Sequence, residues 1–434
     1  MLRSWSRPLV ASLTLVALLL PGCGGNDDGA ADTTLAATTT TPPATTEAPV
    51  ATTTVPSEAS SVDDSVVTAG WVQVPQSADL FSSDGSQEMN SVVRWEGGFV
   101  AVGGDGGELG RDAAVWVSAD GLVWSRVVDP DGLTADGWQT MNAVTTGGPG
   151  LVAVGTSAPG LHKDDAAVWT STDGLRWILV PDDSGDFSGA GDHHMADVVA
   201  GGPGLVAVGS VGSVDTGVAA VWTSQDGLAW TRVAHSDEVF GGDKWQFMAS
   251  VTDSDLGLVA VGGDSSGGDL DAAVWTSLDG LVWSRVVDTD GMLAGSGDQA
   301  MASVTVGGPG LVAVGREMPG SDFDGVVWLS SDGASWTRID TGDAFGGPGD
   351  QAVAQVSEVD GGLMAVGYER IEDRDAQVWE SADGLAWAKS SDPDLIAEGL
   401  QEIHSLAAST ERIIAVGYSG DIASTNAAVW HHPD

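Results

Sequence analysis

Between Met89 and Trp430, short apolar bursts separated by polar turns return seven times. The clearest copy reads MNAVTTGGPGLVAVG from Met141 and, after a variable loop, DAAVWTSTDGLRWILV from Asp165. It holds four apolar runs: Met141–Thr146, Leu151–Gly155, Ala166–Ser171 and Leu175–Val180. Leu151 to Val154 are apolar at every position, the pattern of a strand covered on both faces. No sustained 3.6-residue period interrupts these runs, so each copy predicts four antiparallel strands. Asp173-Gly174 joins the third and fourth runs, and Asp-Gly predicts a tight primed hairpin turn with positive φ. The dipeptide recurs at Asp120, Asp226, Asp279, Asp332 and Asp383.

The copies, numbered here as repeats 1 to 7, begin at Met89, Met141, Met195, Met248, Met301, Val353 and Ile403. A near-constant period of this size with four strands per unit is the signature of propeller blades. Repeat 7 stops in its third run, Ala427–Trp430, while Trp71-Val72-Gln73-Val74 upstream matches the fourth-run pattern Trp124–Val127. An exposed edge strand invites aggregation, and pairing the two ends removes it. The expected fold is all-β: residues 70–434 form a seven-bladed β-propeller of four-stranded antiparallel blades, closed by an N-terminal strand in the last blade. One tryptophan slot lies on the third run (Trp116, Trp169, Trp222, Trp275, Trp328, Trp379, Trp430) and another on the fourth (Trp71, Trp124, Trp177, Trp230, Trp283, Trp336, Trp387). A side chain used alike in every repeat reads as packing, since each indole buries about 150–250 Å².

The N-terminus has the form of an export signal: Arg3 and Arg7, an apolar stretch from Leu9 to Leu20, and a processing site ahead of Cys23. Leu20-Pro21-Gly22-Cys23 resembles the bacterial lipobox, which implies removal of residues 1–22 and a lipid on Cys23 that ties the protein to a membrane at the bacterial cell surface or the periplasmic side of the envelope. Residues 23–69 are rich in Thr, Ala and Pro, cannot bury enough surface to offset their ordering entropy, and read as a disordered stalk. Cys23 is the only cysteine, so no disulfide framework or thiolate metal site is expected.

Sixty-two acidic against sixteen basic residues give a net charge of −46. That field excludes nucleic acid as a natural partner. Two uses of the acid compete: a solvated surface suited to salt, or carboxylates gathered for divalent cations. Asp129-Pro130-Asp131-Gly132 and Asp288-Thr289-Asp290-Gly291 begin like calcium loops, but neither supplies a third aspartate and a closing glutamate. No cofactor and no metal are expected, and the expected state is a monomer.

Ser171-Thr172-Asp173-Gly174-Leu175-Arg176-Trp177, and its counterparts starting at Ser118, Ser224, Ser277, Ser330 and Ser381, resemble the Asp-box hairpin of sialidase-like propellers, one residue shorter between Asp and Trp. Leu-Val-Ala-Val-Gly followed by a loop and Val-Trp also resembles the kelch repeat, whose Gly-Gly doublet survives at Gly103-Gly104 and Gly262-Gly263. The resemblance covers about residues 70–432. It implies a fold, with the Asp-box away from the active face, and not a chemistry.

Long, varied loops between runs two and three and between repeats emerge on one face, where binding is expected. Two residues before each repeat stand Gln87, Gln139, His193, Gln246, Gln299, Gln351 and Gln401, which could ring the channel mouth or satisfy loop backbone. Asp112, Asp165, Asp271, Asp324, Asp375 and Asn426 open the third runs, as expected caps or partners between blades. Departures from the repeat are stronger candidates. After each Val-Gly come Gly104, Thr156, Ser210, Gly263, Arg316, Tyr368 and Tyr418, with Glu317, Glu369, Arg370 and Arg374 nearby. Tyrosine and arginine are favoured binding residues, so Arg316, Tyr368, Arg370 and Tyr418 join the glutamine ring as candidate ligand contacts. His162, Lys163, His193 and His194 form a second departure without metal-ligand spacing. The leading expectation is a surface lipoprotein whose propeller binds a glycan or an envelope protein without catalysis. The alternatives are a sialidase-like glycoside hydrolase, using a tyrosine nucleophile and arginines, and a purely structural envelope scaffold.

Overall fold

The computed structural model describes residues 70–75, 78–81, 85–107, 110–134, 137–160, 163–213, 215–421 and 424–433. The expected signal 1–22, Cys23, the stalk 23–69 and His162 lie outside them.

The described chain is all-β, with one-turn helices only in connections, such as Pro130–Leu133 and Asp237–Phe240. Repeat 3 is representative: strands His193–Gly201, Gly204–Val211, Val218–Ser224 and Trp230–Arg232 pair antiparallel in that order. Repeats 4, 5 and 6 form equivalent four-stranded sheets, and repeats 1 and 2 are linked into one eight-stranded sheet by a single parallel bridge between Arg111 and Trp138. In repeat 7 the last strand, Ser424–Pro433, pairs with Val72–Gln73 from the other end of the chain, Gln73 opposite Trp430. Gln73 thus stands in the register that Arg232 takes opposite Trp222. Such an array of four-stranded antiparallel sheets is a β-propeller arrangement, in which the first strand of each repeat packs against the first strand of the next, and that of repeat 7 against that of repeat 1.

The innermost strand carries the defining irregularity. In every repeat its register shifts by one residue just after the starting position, between Met141 and Ala143 in repeat 2 and between Met301 and Ser303 in repeat 5. This is a β-bulge, which leaves one residue unpaired. It drives the Thr140 carbonyl toward Gly155, where a Cβ would overlap the oxygen, and the same holds at Gly103, Gly209, Gly262, Gly315, Gly367 and Gly417. The glycine that ends each Leu-Val-Ala-Val-Gly is therefore obligatory. The backbone N–H beyond the bulge is taken up by a side chain of the preceding repeat: Val144 by Ser91 at 3.2 Å, Val304 by Ser250 at 3.4 Å, Val356 by Ser303 at 3.2 Å, Leu406 by Gln355 at 2.6 Å and Val92 by Ser405 at 3.2 Å. Repeat 2 has Ala143 there and offers no acceptor. Val198 bonds instead to Asp197 Oδ1 at 2.7 Å, while Asp197 Oδ2 accepts from Val251 at 2.9 Å. Burial keeps that carboxyl above its usual range.

The third-strand tryptophans are all at most 1 % exposed. Six of them donate Nε1–H to a carbonyl in the connection that enters their own repeat, as Trp116 does to Leu80 at 2.9 Å and Trp328 to Met292 at 3.0 Å. Each of those connections buries one large residue: Phe81, Phe187, Phe240, Leu293, Phe345 and Leu395, with Leu133 the counterpart ahead of repeat 2.

The Asp-Gly turn differs from the primed hairpin expected. Gly174 has φ +72°, but Asp173 keeps negative φ. The reason is side-chain capping. Ser171 Oγ accepts Gly174 N–H at 2.9 Å, Asp173 Oδ1 accepts the N–H of Leu175 and Arg176 at 2.8 Å, and Trp177 Nε1 donates to Gly174 O at 3.1 Å. The fourth strand of repeat 2 therefore starts only at Ile178. These backbone bonds hold the Asp173 carboxyl below its usual pKa against the burial that would raise it.

Ser303→Ala leaves the buried Val356 N–H without its acceptor and should cost about 1–3 kcal/mol. Urea unfolding that gives an unchanged midpoint and slope would show that these links between repeats do not matter.

Candidate functional site

Strand pairing sets each residue after the Val-Gly opposite one on the innermost strand. The pairs are Glu88 with Gly104, Thr140 with Thr156, His194 with Ser210, Phe247 with Gly263, Ala300 with Arg316, Ala352 with Tyr368 and Glu402 with Tyr418. The chemistry gathers where repeats 5, 6 and 7 adjoin.

Glu402 is 2 % exposed. Its Oε2 accepts from Tyr418 Oη at 2.8 Å and from Arg374 Nη1 at 2.6 Å, and Arg374 Nη1 also donates to Tyr418 Oη at 2.7 Å. His404, the bulged residue of repeat 7, directs Nε2 to Glu402 Oε1 at 3.6 Å and Nδ1 to the Met89 carbonyl at 3.2 Å. Its ring also meets Tyr418 edge-on, with centroids 5.4 Å apart. The Arg374 guanidinium lies 4.2 Å from the Tyr368 ring centre, and that of Arg316 lies 4.7 Å from the Phe323 ring centre. Burial would raise the Glu402 carboxyl, but His404 and Arg374 outweigh it and hold its pKa below the ordinary value. Burial opposes charge on His404 as well, yet Glu402 raises its pKa. Burial and the Glu402 charge push Tyr418 up, so it stays a phenol. The cluster is an ion-pair network in which the phenol and the Arg374 guanidinium already have partners.

Beside it, Arg316 and Glu402 face a cavity of about 20 Å³ walled by Ala300, Ala302, Ala352 and Ala354. That is room for about one water molecule, against roughly 300 Å³ or more for an ordinary small-molecule site. A second, open cavity of about 350 Å³ lies between the second, third and fourth strands of repeat 5 and the connection to repeat 6, bounded by the Glu317–Arg338 ion pair, Asp324, Asp340 and Thr341.

The sequence-derived candidates fall into three sets. Arg316, Tyr368 and Tyr418 are brought together, but all are at most 9 % exposed, inside the wall and not on a surface. Arg370 leaves them to pair with Asp350. The ring residues Gln87, Gln139, His193, Gln246, Gln299, Gln351 and Gln401 are at most 7 % exposed and do not open onto the channel mouth. Gln299, Gln351 and Gln401 bond to the loop before the repeat, and Gln351 Nε2 also reaches Glu369 Oε1 at 3.4 Å. Gln299 Nε2 donates to Gly297 O at 2.8 Å, Gln351 Nε2 to Pro348 O at 3.3 Å, and Gln401 Oε1 accepts from Ala397 at 3.1 Å. His193 lies 3.2 Å from Gly191 O and 3.3 Å from Arg232. His194 faces Asn142 at 3.0 Å, and burial lowers its pKa to about 4. Lys163 pairs with Asp165, and both lie within electrostatic reach of His193. The calcium-like loops use their aspartates as caps: Asp129 accepts from Trp177 at 2.7 Å and Asp288 from Met292 at 2.9 Å.

Sequence reasoning missed Glu402 and His404. Comparing the residue just before each repeat start exposes the first, because Glu88 and Glu402 are the only acids in that slot. Glu88 has its own cation, Arg111.

These features define an all-β protein of the β-propeller class. No protein-family model matches the chain, and no curated protein matches it. Among solved structures, it overlaps polysaccharide lyase Uly1 with 10% identity over 84% of this chain and 99% of that one, at a TM-score of 0.50. A protein of unknown function from Dyadobacter fermentans gives 12% identity, 84% and 98% coverage and a TM-score of 0.49. Trypanosoma rangeli sialidase gives 13%, with 83% of this chain and 59% of that one covered, at 0.48. At such identities the likeness concerns the fold alone.

Arg374→Met leaves Glu402 buried with a hydrogen-bonded phenol but without its closest cation. The expected loss is about 3–5 kcal/mol in urea unfolding, with part of it recovered in the Arg374→Met/Glu402→Gln double variant. A loss no larger than that of an exposed arginine would mean that the network carries no net charge burden.

Proposed function

We propose that this protein is a lipid-anchored surface protein whose propeller binds a glycan on its long-loop face without catalysis. The fold reading is a seven-bladed ring closed by the strand at Val72–Gln73, supported by the side-chain links that run from repeat to repeat and return from Ser405 to Val92. The observation that carries the absence of catalysis is the closed cluster. Tyr418 is hydrogen-bonded to Glu402 and Arg374, and the cavity beside them measures about 20 Å³, so no sugar ring can reach the phenol. The open space of about 350 Å³ lies instead between the strands of repeat 5 and the connection that leaves it. Glycans are the ligand class to test first, with envelope proteins second.

One observation favours a second reading. A phenol 2.8 Å from a buried carboxylate, with arginines at hand, is the pairing that a tyrosine-nucleophile glycosidase needs. Against it stand the lack of room and a net charge of −46, which repels anionic sugars.

The purified full chain should give glycan-array signal and no turnover of glycosides, including a fluorogenic sialoside. Turnover abolished by Tyr418→Phe would replace the binding reading with the hydrolase. Signal only from envelope proteins in a pull-down would instead favour a scaffold.

The anchor is proposed to be a lipid on Cys23. Palmitate labelling should vanish in Cys23→Ala and the protein should move from membrane to medium; labelling that persists would refute the assignment.

A further inference from the structure

The position just before each buried ring residue is occupied by Ser86, Trp138, Asp192, Trp245, Asp298, Asp350 and Leu400. In three repeats this slot has a plain structural use. Asp192, Asp298 and Asp350 accept the N–H of Asp164, Leu270 and Phe323 in the long loop of the preceding repeat, at 3.0–3.2 Å. Repeat 4 dispenses with that carboxylate. Gln246 N–H bonds to Gly217 O of the preceding loop at 2.9 Å, the counterpart of Gln299 to Leu270 O and Gln351 to Phe323 O in repeats 5 and 6. Trp245 stands in the slot where repeats 3, 5 and 6 carry that carboxylate.

Its setting is that of a held platform. The ring stacks on buried Phe247, with centroids 4.5 Å apart and planes 27° apart. Its edge rests over Gly217, where a Cβ would come within 3.2 Å of Cδ1. Its carbonyl accepts both the N–H and the hydroxyl of Ser265, at 2.9 and 3.0 Å. The indole stays half-buried. Ser213, Thr216 and Ser266 stand exposed on the two loops that flank it. A rigid indole costs little entropy to use, and a few hydroxyls around an apolar plate fix the orientation of a ligand.

Resting on the glycan-binding reading above, we infer that Trp245 is the platform on which the protein stacks the C–H face of an uncharged sugar residue, with the loop hydroxyls bonding its rim. A pyranose offers the matching shape: a flat apolar face with hydroxyls around the edge. The net charge of −46 selects against sialylated and uronate-bearing glycans.

The test uses the full chain on an array of neutral and acidic oligosaccharides, followed by titration of the strongest neutral oligosaccharide. Wild type should prefer neutral glycans, Trp245→Ala should stay folded by circular dichroism but bind at least tenfold more weakly, and Trp245→Phe should retain part of the affinity. Wild-type binding retained in Trp245→Ala overturns the platform while leaving glycan binding intact. A preference for acidic glycans also overturns it. If wild type binds no glycan at all, the platform and the functional reading fall together.

Discussion

The innermost strand of every repeat has one residue more than its partner can pair with, and the rest of the structure accommodates that surplus. The bulge forces a glycine at the end of the second strand, because the displaced carbonyl fills the space of a Cβ. It also turns one backbone N–H away from its own sheet. An unpaired N–H in a buried seam costs more than most single contacts contribute, so the preceding repeat supplies an oxygen. Six side chains from Ser91 to Ser405 do this. Where Ala143 cannot, Asp197 uses both carboxylate oxygens, one for its own repeat and one for the next.

A second device ties the second strand to the fourth across the buried indole of the third. Asp105 reaches Arg126 and Asp264 reaches Arg285, both at 3.1 Å, with the guanidinium 4.5 or 4.7 Å from the ring centre of the third-strand tryptophan. Glu317 with Arg338 and Glu369 with Lys389 repeat the arrangement. In repeat 7 the partners come from opposite ends of the chain, Ser419 and Gln73 at 3.3 Å, a neutral version of the same bond. Much of the acid in this chain is thus consumed by architecture, as turn caps, loop caps and partners for scarce cations, which leaves less for metal chemistry than the composition alone would lead one to expect.

The Glu402 network follows the same logic at higher cost. A buried carboxylate needs a cation and further hydrogen bonds to offset its desolvation. Arg374, Tyr418 and His404 provide them from two strands of repeat 7 and one of repeat 6. The alanines of repeats 5 and 6 on the same tier leave a small recess instead of a filled wall. The asymmetry of otherwise regular repeats is concentrated here and at Trp245.

Period, strand number, the two tryptophan slots and the pairing of Trp71–Val74 with repeat 7 were legible in the sequence, because each follows from a local pattern copied from repeat to repeat. The turn at Ser171–Trp177 was legible as a turn but not as a capped one, since side-chain oxygens decided its φ angles. The tyrosines and Arg316 were recognisable as departures from the repeat. That they lie inside, that Arg370 turns to Asp350 while Arg374 turns to Glu402, and that the ring glutamines are loop staples depended on which repeats stand side by side and which way each strand faces. A single residue's direction follows from the bulge one position away and from the neighbouring repeat's side chains, and those contacts exist only once the sheets have packed.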